Sequence, residues 1–291
     1  MKKDRTFFYR LLYPTPRALP WLILPASASI PLLFLARHIP LPLAALASLL
    51  ALYVLLVLAL RLPILWRAGL RYFHGMRARP WSEKWAVLSL FLGFGANFFY
   101  AVFKILTGAR YGSVGLGTEA VFYIVLGVVR YSLVGEERRI AKKEHAARTR
   151  SEWAAVARCG RLLLLLDLAA TAIIAEIARG RPRFPYSAFV IAITALYTAG
   201  RIALVVFQLV RLRHHARPLF SAIRALNLAA SLFSIFSLTA VCLTRSTLSF
   251  SAQQTWNAVS GSAVLLALTA LAVLLILRAR RALSTQKSGE T

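Results

Sequence analysis

Apolar runs of about 20 residues, each closed at its ends by Lys and Arg, recur along this chain. A run of about 18 or more residues with few charges crosses the hydrocarbon core of a bilayer as a helix. Eight such runs are legible: about 20–36, 41–60, 84–107, 112–134, 159–178, 186–210, 219–243 and 256–277. The first is short, and Pro25 and Pro31 each remove a helix hydrogen bond, so it reads as a kinked span or a re-entrant piece. Hydrophobic residues make up 59% of the chain, against about 45–50% for a water-soluble domain. The expected class is an all-α integral membrane protein with about eight transmembrane helices, two N-terminal and six in a core.

The formal net charge of +26 is concentrated at the ends of the spans. That placement points to cytoplasmic loops and anionic lipid rather than nucleic acid. With the N-terminus inside, 25 of the 36 Lys and Arg residues fall on the cytoplasmic side and 6 on the other. Both termini are therefore expected in the cytoplasm, with the chain in the cell (inner) membrane. The start MKKDR runs into FFYRLLYPTPR before any apolar stretch, so no secretory signal is expected. Cys159 and Cys242 stand far apart without metal spacing, so neither a disulfide framework nor a thiolate site is expected.

Three regions follow: 1–82, an amphipathic segment with a two-span hairpin; 83–282, a six-span core; and 283–291, a polar tail. The core contains a basic stretch, 136–158, expected as one helix lying against the inner leaflet with Trp153 at the interface. The lipid bilayer is the expected partner, and a homodimer remains open.

A few ionisable residues lie inside the core spans, where burying a charge is expensive. Lys104 and Glu119 flank a short turn, GARY, in the stretch NFFYAVFKILTGARYGSVGLGTEAVFYIVLGVV. The two helices form a hairpin in which an ion pair is feasible, although snorkelling of Lys104 to the surface is the simpler reading. Asp167 and Arg201 lie at similar depth in consecutive spans and are expected to pair or to face one polar cavity. Arg224 and Asn227, three apart, share a helix face. Asn97 and Tyr197 add polar reach. Gly93 and Gly95, Gly115 and Gly117, and the run Ala229, Ala230 and Ser231 allow close helix approach.

Enzyme motifs fail on inspection. EERRI at Glu136 lacks the Arg that a membrane-protease glutamate motif needs, because position 141 is Ala. GRPRF at Gly180 resembles the first block of lipid-phosphate phosphatases, whose later blocks are missing. VSGSA at Val259 is not Gly-x-Ser-Gly. The histidines (His38, His74, His145, His214 and His215) all fall in loops, so no span carries a base for a nucleophile. No enzymatic activity and no cofactor are expected.

The order N-x6-K-x3-G-x4-S-V from Asn97 to Val114, followed by Glu119 and Ala120, resembles the first two helices of the cation diffusion facilitator (cation efflux) transporters. RPLFSAIRALNLAASLFSIFSL, from Arg217 to Leu238, resembles their fifth helix. The whole chain is also similar to bacterial multi-pass membrane proteins of unassigned role. The resemblance implies a six-helix transporter core. It also implies metal ligands at four positions, and here those hold Phe122, Leu126, Leu226 and Ala230. None of these side chains can bind zinc, and no cytoplasmic metal-binding domain is expected after Arg281. A non-metal solute or ion transporter is the leading expectation, with Glu119, Lys104, Asp167, Arg201, Arg224 and Asn227 as polar path or ion pairs. A non-transporting scaffold or accessory subunit is the alternative.

Overall fold

The computed structural model describes residues 67, 81–111, 113–140, 145–179, 186–211 and 217–288. The two N-terminal spans expected at 20–36 and 41–60 lie outside the described residues. Six long helices follow one another: α1 Trp81–Tyr111, α2 Val114–Ile140, α3 His145–Arg179, α4 Ala188–Arg211, α5 Pro218–Leu243 and α6 Phe250–Ser288. No strand occurs among the described residues. Helices satisfy every backbone group within the segment, which lipid demands.

Five of the six are long and apolar enough to cross a membrane: all but α3. The chain is therefore an integral membrane protein by the length and composition of its helices. The exception has a simple cause, since Arg161, Asp167 and Glu176 interrupt the apolar face of α3. Connectivity still carries α3 from one end of the bundle to the other. It starts just after α2 ends, and its far end leads to Tyr186 and Ser187, which contact the α1–α2 turn.

That turn is tighter than the sequence implied. GARY is helical, and α1 stops at Tyr111 only three residues before α2 begins. Ser113 N donates to Gly108 O at 2.9 Å, and Gly117 N donates to Ser113 O at 3.3 Å. A Cβ at Gly108 would stand 3.0 Å from the Gly117 backbone nitrogen, so a larger residue there would press the two helices apart. At the start of α5, Arg217 is extended and Pro218 takes the first helical turn, where its missing N–H is no loss.

The hairpin α1–α2, the pair α3–α6 and the pair α4–α5 form the main contacts, and α2, α3 and α5 bring the pairs together. The apolar window of α2 is 83% buried, so α2 is the central helix; that of α4 is 22% buried, so α4 lies at the rim. Leu196, Val206, Leu209 and Val210 on α4 face outward, as lipid contact requires. Lipid tails are as apolar as leucine, so helices here associate by close packing rather than by escape from water. Accordingly, Gly160 on α3 is pressed against Ala272, Leu275 and Ile276 of α6, and Gly261 on α6 against Ile174 and Phe236. Phe122 of α2 stacks on Phe233 of α5 with ring centroids 3.6 Å apart.

Within the basic stretch 136–158, Glu136–Ile140 belong to α2 and His145 onward to α3. Glu152, Ala155, Val156 and Ala157 are buried in the bundle, and Trp153 packs on its core. Residues 283–288, read as the start of the polar tail, continue α6.

Candidate functional site

Counted from the turn, Lys104 lies eight residues back and Glu119 six forward, about 12 and 9 Å along their helices. Lys104 does not snorkel. Its side chain is fully buried, and Nζ stands 2.7 Å from Glu119 Oε2. Ser237 of α5 closes the cluster. Lys104 Nζ donates to Ser237 Oγ at 2.8 Å, and Ser237 Oγ donates to Glu119 Oε2 at 2.6 Å. A lysine here is seven residues from its helix end, and its ammonium meets Glu119 and Ser237 instead of the surface. Beside this cluster, toward the turn, an open groove of about 410 Å³ lies between α1 and α4, lined by Phe103, Thr107, Arg110, Tyr111 and Phe189. At the turn itself Ser113 Oγ and Tyr186 Oη are 2.7 Å apart. Burial pushes the Tyr186 phenol above its ordinary value, and the Ser113 hydrogen bond works against that rise.

Deeper in the bundle comes a layer of tyrosines. Tyr100 of α1 stacks flat on Tyr197 of α4, with centroids 3.7 Å apart, and Tyr123 of α2 meets both edge-on. Lys104 Nζ sits 5.3 Å from the Tyr100 ring, within cation–π range.

Beyond the tyrosines lies a second polar cluster, containing two arginines. Arg201 of α4 is 4% exposed, and its Nη2 donates to Asn227 Oδ1 of α5 at 3.4 Å. Asn227 Nδ2 donates in turn to Gln208 Oε1 at 2.7 Å. Arg130 of α2 is 0% exposed, and its Nη2 donates to Leu226 O, the residue before Asn227, at 3.3 Å. Asn97 of α1 joins the two sides. In the amide orientation that matches all its neighbours, it donates to Tyr197 Oη at 2.8 Å and accepts from Arg130 Nε at 3.3 Å. Gly93 makes room for the arginine, since a Cβ there would collide with the Arg130 guanidinium.

Of the residues expected to form a path, the structure brings Lys104 and Glu119 together, and Arg201 and Asn227 together. Asp167 and Arg201 do not pair. Asp167 on α3 accepts from Thr269 of α6, while Arg201 turns to α5. The consecutive helices α3 and α4 do not pack on each other: α3 packs on α6, α2 and α5, and α4 packs on α5 and α1. Arg224 is half-buried and within electrostatic reach of Arg278 on α6.

Arg130 and Gln208 were not singled out from the sequence. A signal for them was present. Gly93, Asn97, Tyr100 and Lys104 form one helical stripe, and Glu119, Tyr123 and Arg130 another. Thr194, Tyr197, Arg201 and Gln208 form a third, and Asn227, Ser231, Ser234 and Ser237 a fourth. Spacings of three and four residues put each set on one face.

Phe122, Leu126, Leu226 and Ala230, which stand at the four ligand positions of the cation-efflux likeness, are all fully buried in the apolar core. No group of three or more His, Cys, Asp or Glu side chains that could hold a metal gathers among the described residues. No protein-family model matches the chain, and no curated protein matches it either.

Proposed function

We propose that this membrane protein moves a small non-metal solute or ion through its six-helix core. One observation carries the reading: four helices each aim a polar stripe at the bundle axis, from Lys104–Glu119–Ser237 through the tyrosines to Arg130–Asn97 and Arg201–Asn227–Gln208. Structure alone gives little reason for such a column. Well-packed apolar residues in place of buried ion pairs are often neutral or stabilising. Ionisable groups at membrane depth mark solute and proton routes far more often than they serve as glue. The cation-efflux likeness supports the transport half of the reading, and the apolar side chains at its four ligand positions argue against a metal cargo. Glu119 is the best-placed group for a proton-linked step, because its carboxylate is held by one cation and one hydroxyl at the border of the tyrosine layer.

One observation favours the second reading, a non-transporting scaffold or accessory subunit. Lys104 and Glu119 neutralise each other inside the protein, as a structural pair does. Light scattering of proteoliposomes under gradients of sodium chloride, sodium acetate and glycine separates the two. Transport predicts flux for at least one solute, lowered about tenfold or more in Glu119→Gln and Arg201→Ala, since a charge-assisted hydrogen bond is worth about 1.5–3 kcal/mol. Folded variants that retain wild-type flux would leave these residues a structural role only.

A further inference from the structure

The Lys104–Glu119 cluster is balanced in charge, but the arginine cluster is not. Arg130 and Arg201 are both buried, and a guanidinium stays protonated in proteins. They lie within electrostatic reach of each other, and in a medium of low dielectric two like charges repel strongly. The buried carboxylates among the described residues hold other groups, with Asp167 Oδ1 alone left bare. Glu119 holds Lys104, Asp167 takes the Thr269 hydroxyl, Glu136 holds Arg158, and Glu137 and Glu152 face Arg217. Neither guanidinium forms an ion pair among the described residues.

The hydrogen bonding is lopsided in the same sense. The side-chain acceptors of the cluster are in use: Asn227 Oδ1 takes Arg201, Gln208 Oε1 takes Asn227, and Asn97 Oδ1 takes Arg130. Three donors are not. Arg130 Nη1, Arg201 Nε and Gln208 Nε2 are buried N–H groups without a partner among the described residues. A buried donor left bare is expensive, and native proteins rarely carry three together. A species that satisfies these donors must accept hydrogen bonds, and one that also offsets the two cations must bring negative charge.

We propose that Arg130 and Arg201, with Asn97, Asn227 and Gln208, form a binding site for a small anion inside the bundle. Residues from four helices contribute to the cluster, which suits a compact anion of the class of a halide or a simple carboxylate. Gly93 belongs to the site as the position that lets the Arg130 guanidinium lie flat against α1. This deepens the transport reading and rests on it only for the anion being cargo; the site itself stands on binding.

The test uses the full chain purified in uncharged detergent without added lipid, which removes headgroup phosphates as the bound species. Chloride, acetate and phosphate as sodium salts are each titrated against gluconate at constant ionic strength. Thermal unfolding is followed by tryptophan fluorescence. A ligand that binds only the folded state raises Tm with the logarithm of its concentration. The expected result is such a rise with chloride or acetate in the wild type. It weakens about tenfold or more in concentration scale in Arg201→Gln and Arg130→Lys, and stays intact in Arg158→Gln, which removes an exposed arginine. Chloride NMR line broadening on the wild type reads the same site without any variant. Absence of both the rise and the broadening overturns the proposal, and so does a rise that both arginine variants keep. Anion binding without anion flux in proteoliposomes leaves the site standing and removes the transport reading.

Discussion

Lys104 and Glu119 meet 2.7 Å apart in the interior of the bundle, with neither side chain reaching its surface, and Ser237 touches both. The pair is the join between the α1–α2 hairpin and α5. Its two charges arrive on one hairpin and its hydroxyl on a helix more than 100 residues later. Removing one charge strands the other in low dielectric. Lys104→Met and Glu119→Met are each expected to lower stability by about 3–5 kcal/mol, and the double variant by clearly less than the sum. A double-mutant cycle on unfolding in detergent checks this. Additive losses would mean that the two groups do not couple.

Gly93→Ala introduces a methyl where the Arg130 guanidinium lies. Arg130 is held by Asn97 and by Leu226 O, so it cannot swing away freely. The expected loss is about 1–3 kcal/mol, as for overpacking elsewhere. Gly93→Ala combined with Arg130→Leu should recover part of it. Equal losses with and without Arg130 would place the clash elsewhere.

Phe122→Ala removes a ring stacked on Phe233 at the centre of the core and should cost about 3–5 kcal/mol. Zinc, by contrast, should leave the wild-type Tm unchanged, because Phe122, Leu126, Leu226 and Ala230 offer no ligand atoms. A zinc-dependent rise in Tm would reopen the metal reading.

At the end of the bundle away from the turn, Arg217 stands before α5 and holds Glu152 of α3 at 2.7 Å, with Glu137 of α2 at 3.9 Å. Arg148 joins from one helical turn away, 3.3 Å from the same carboxylate. Arg217→Ala should loosen this end by about 1–3 kcal/mol. Hydrogen exchange should quicken in residues 145–158 and at the start of α5, and leave the α1–α2 turn unaffected. Uniform quickening along all helices would indicate global destabilisation instead.

The charge bias between the two faces of the chain predicts that a reporter fused after Thr291 is found in the cytoplasm. A reporter accessible from outside would invert the topology.

The membrane class, the six core helices and the hairpin were legible in the sequence because they depend on local quantities. Hydropathy summed over one helix length decides insertion, and the Gly108-to-Ser113 stretch decides the turn. Lys104 and Glu119 were legible as a feasible pair because the tight turn ties their depths together. The cluster around Arg201 was only half legible. Depth can be counted along a chain, but helix neighbours cannot. Asp167 and Arg201 share a depth, yet α3 chose α6 and α4 chose α5, so the two residues never meet. Arg130 looked like one more cation in an apolar run until α5 brought the Leu226 carbonyl, and α1 brought Asn97, against it. Composition and periodicity thus determined what enters the membrane, because lipid answers to each helix alone. Tertiary packing decided which charges are cancelled and which are not, because that depends on the faces separate helices turn toward each other.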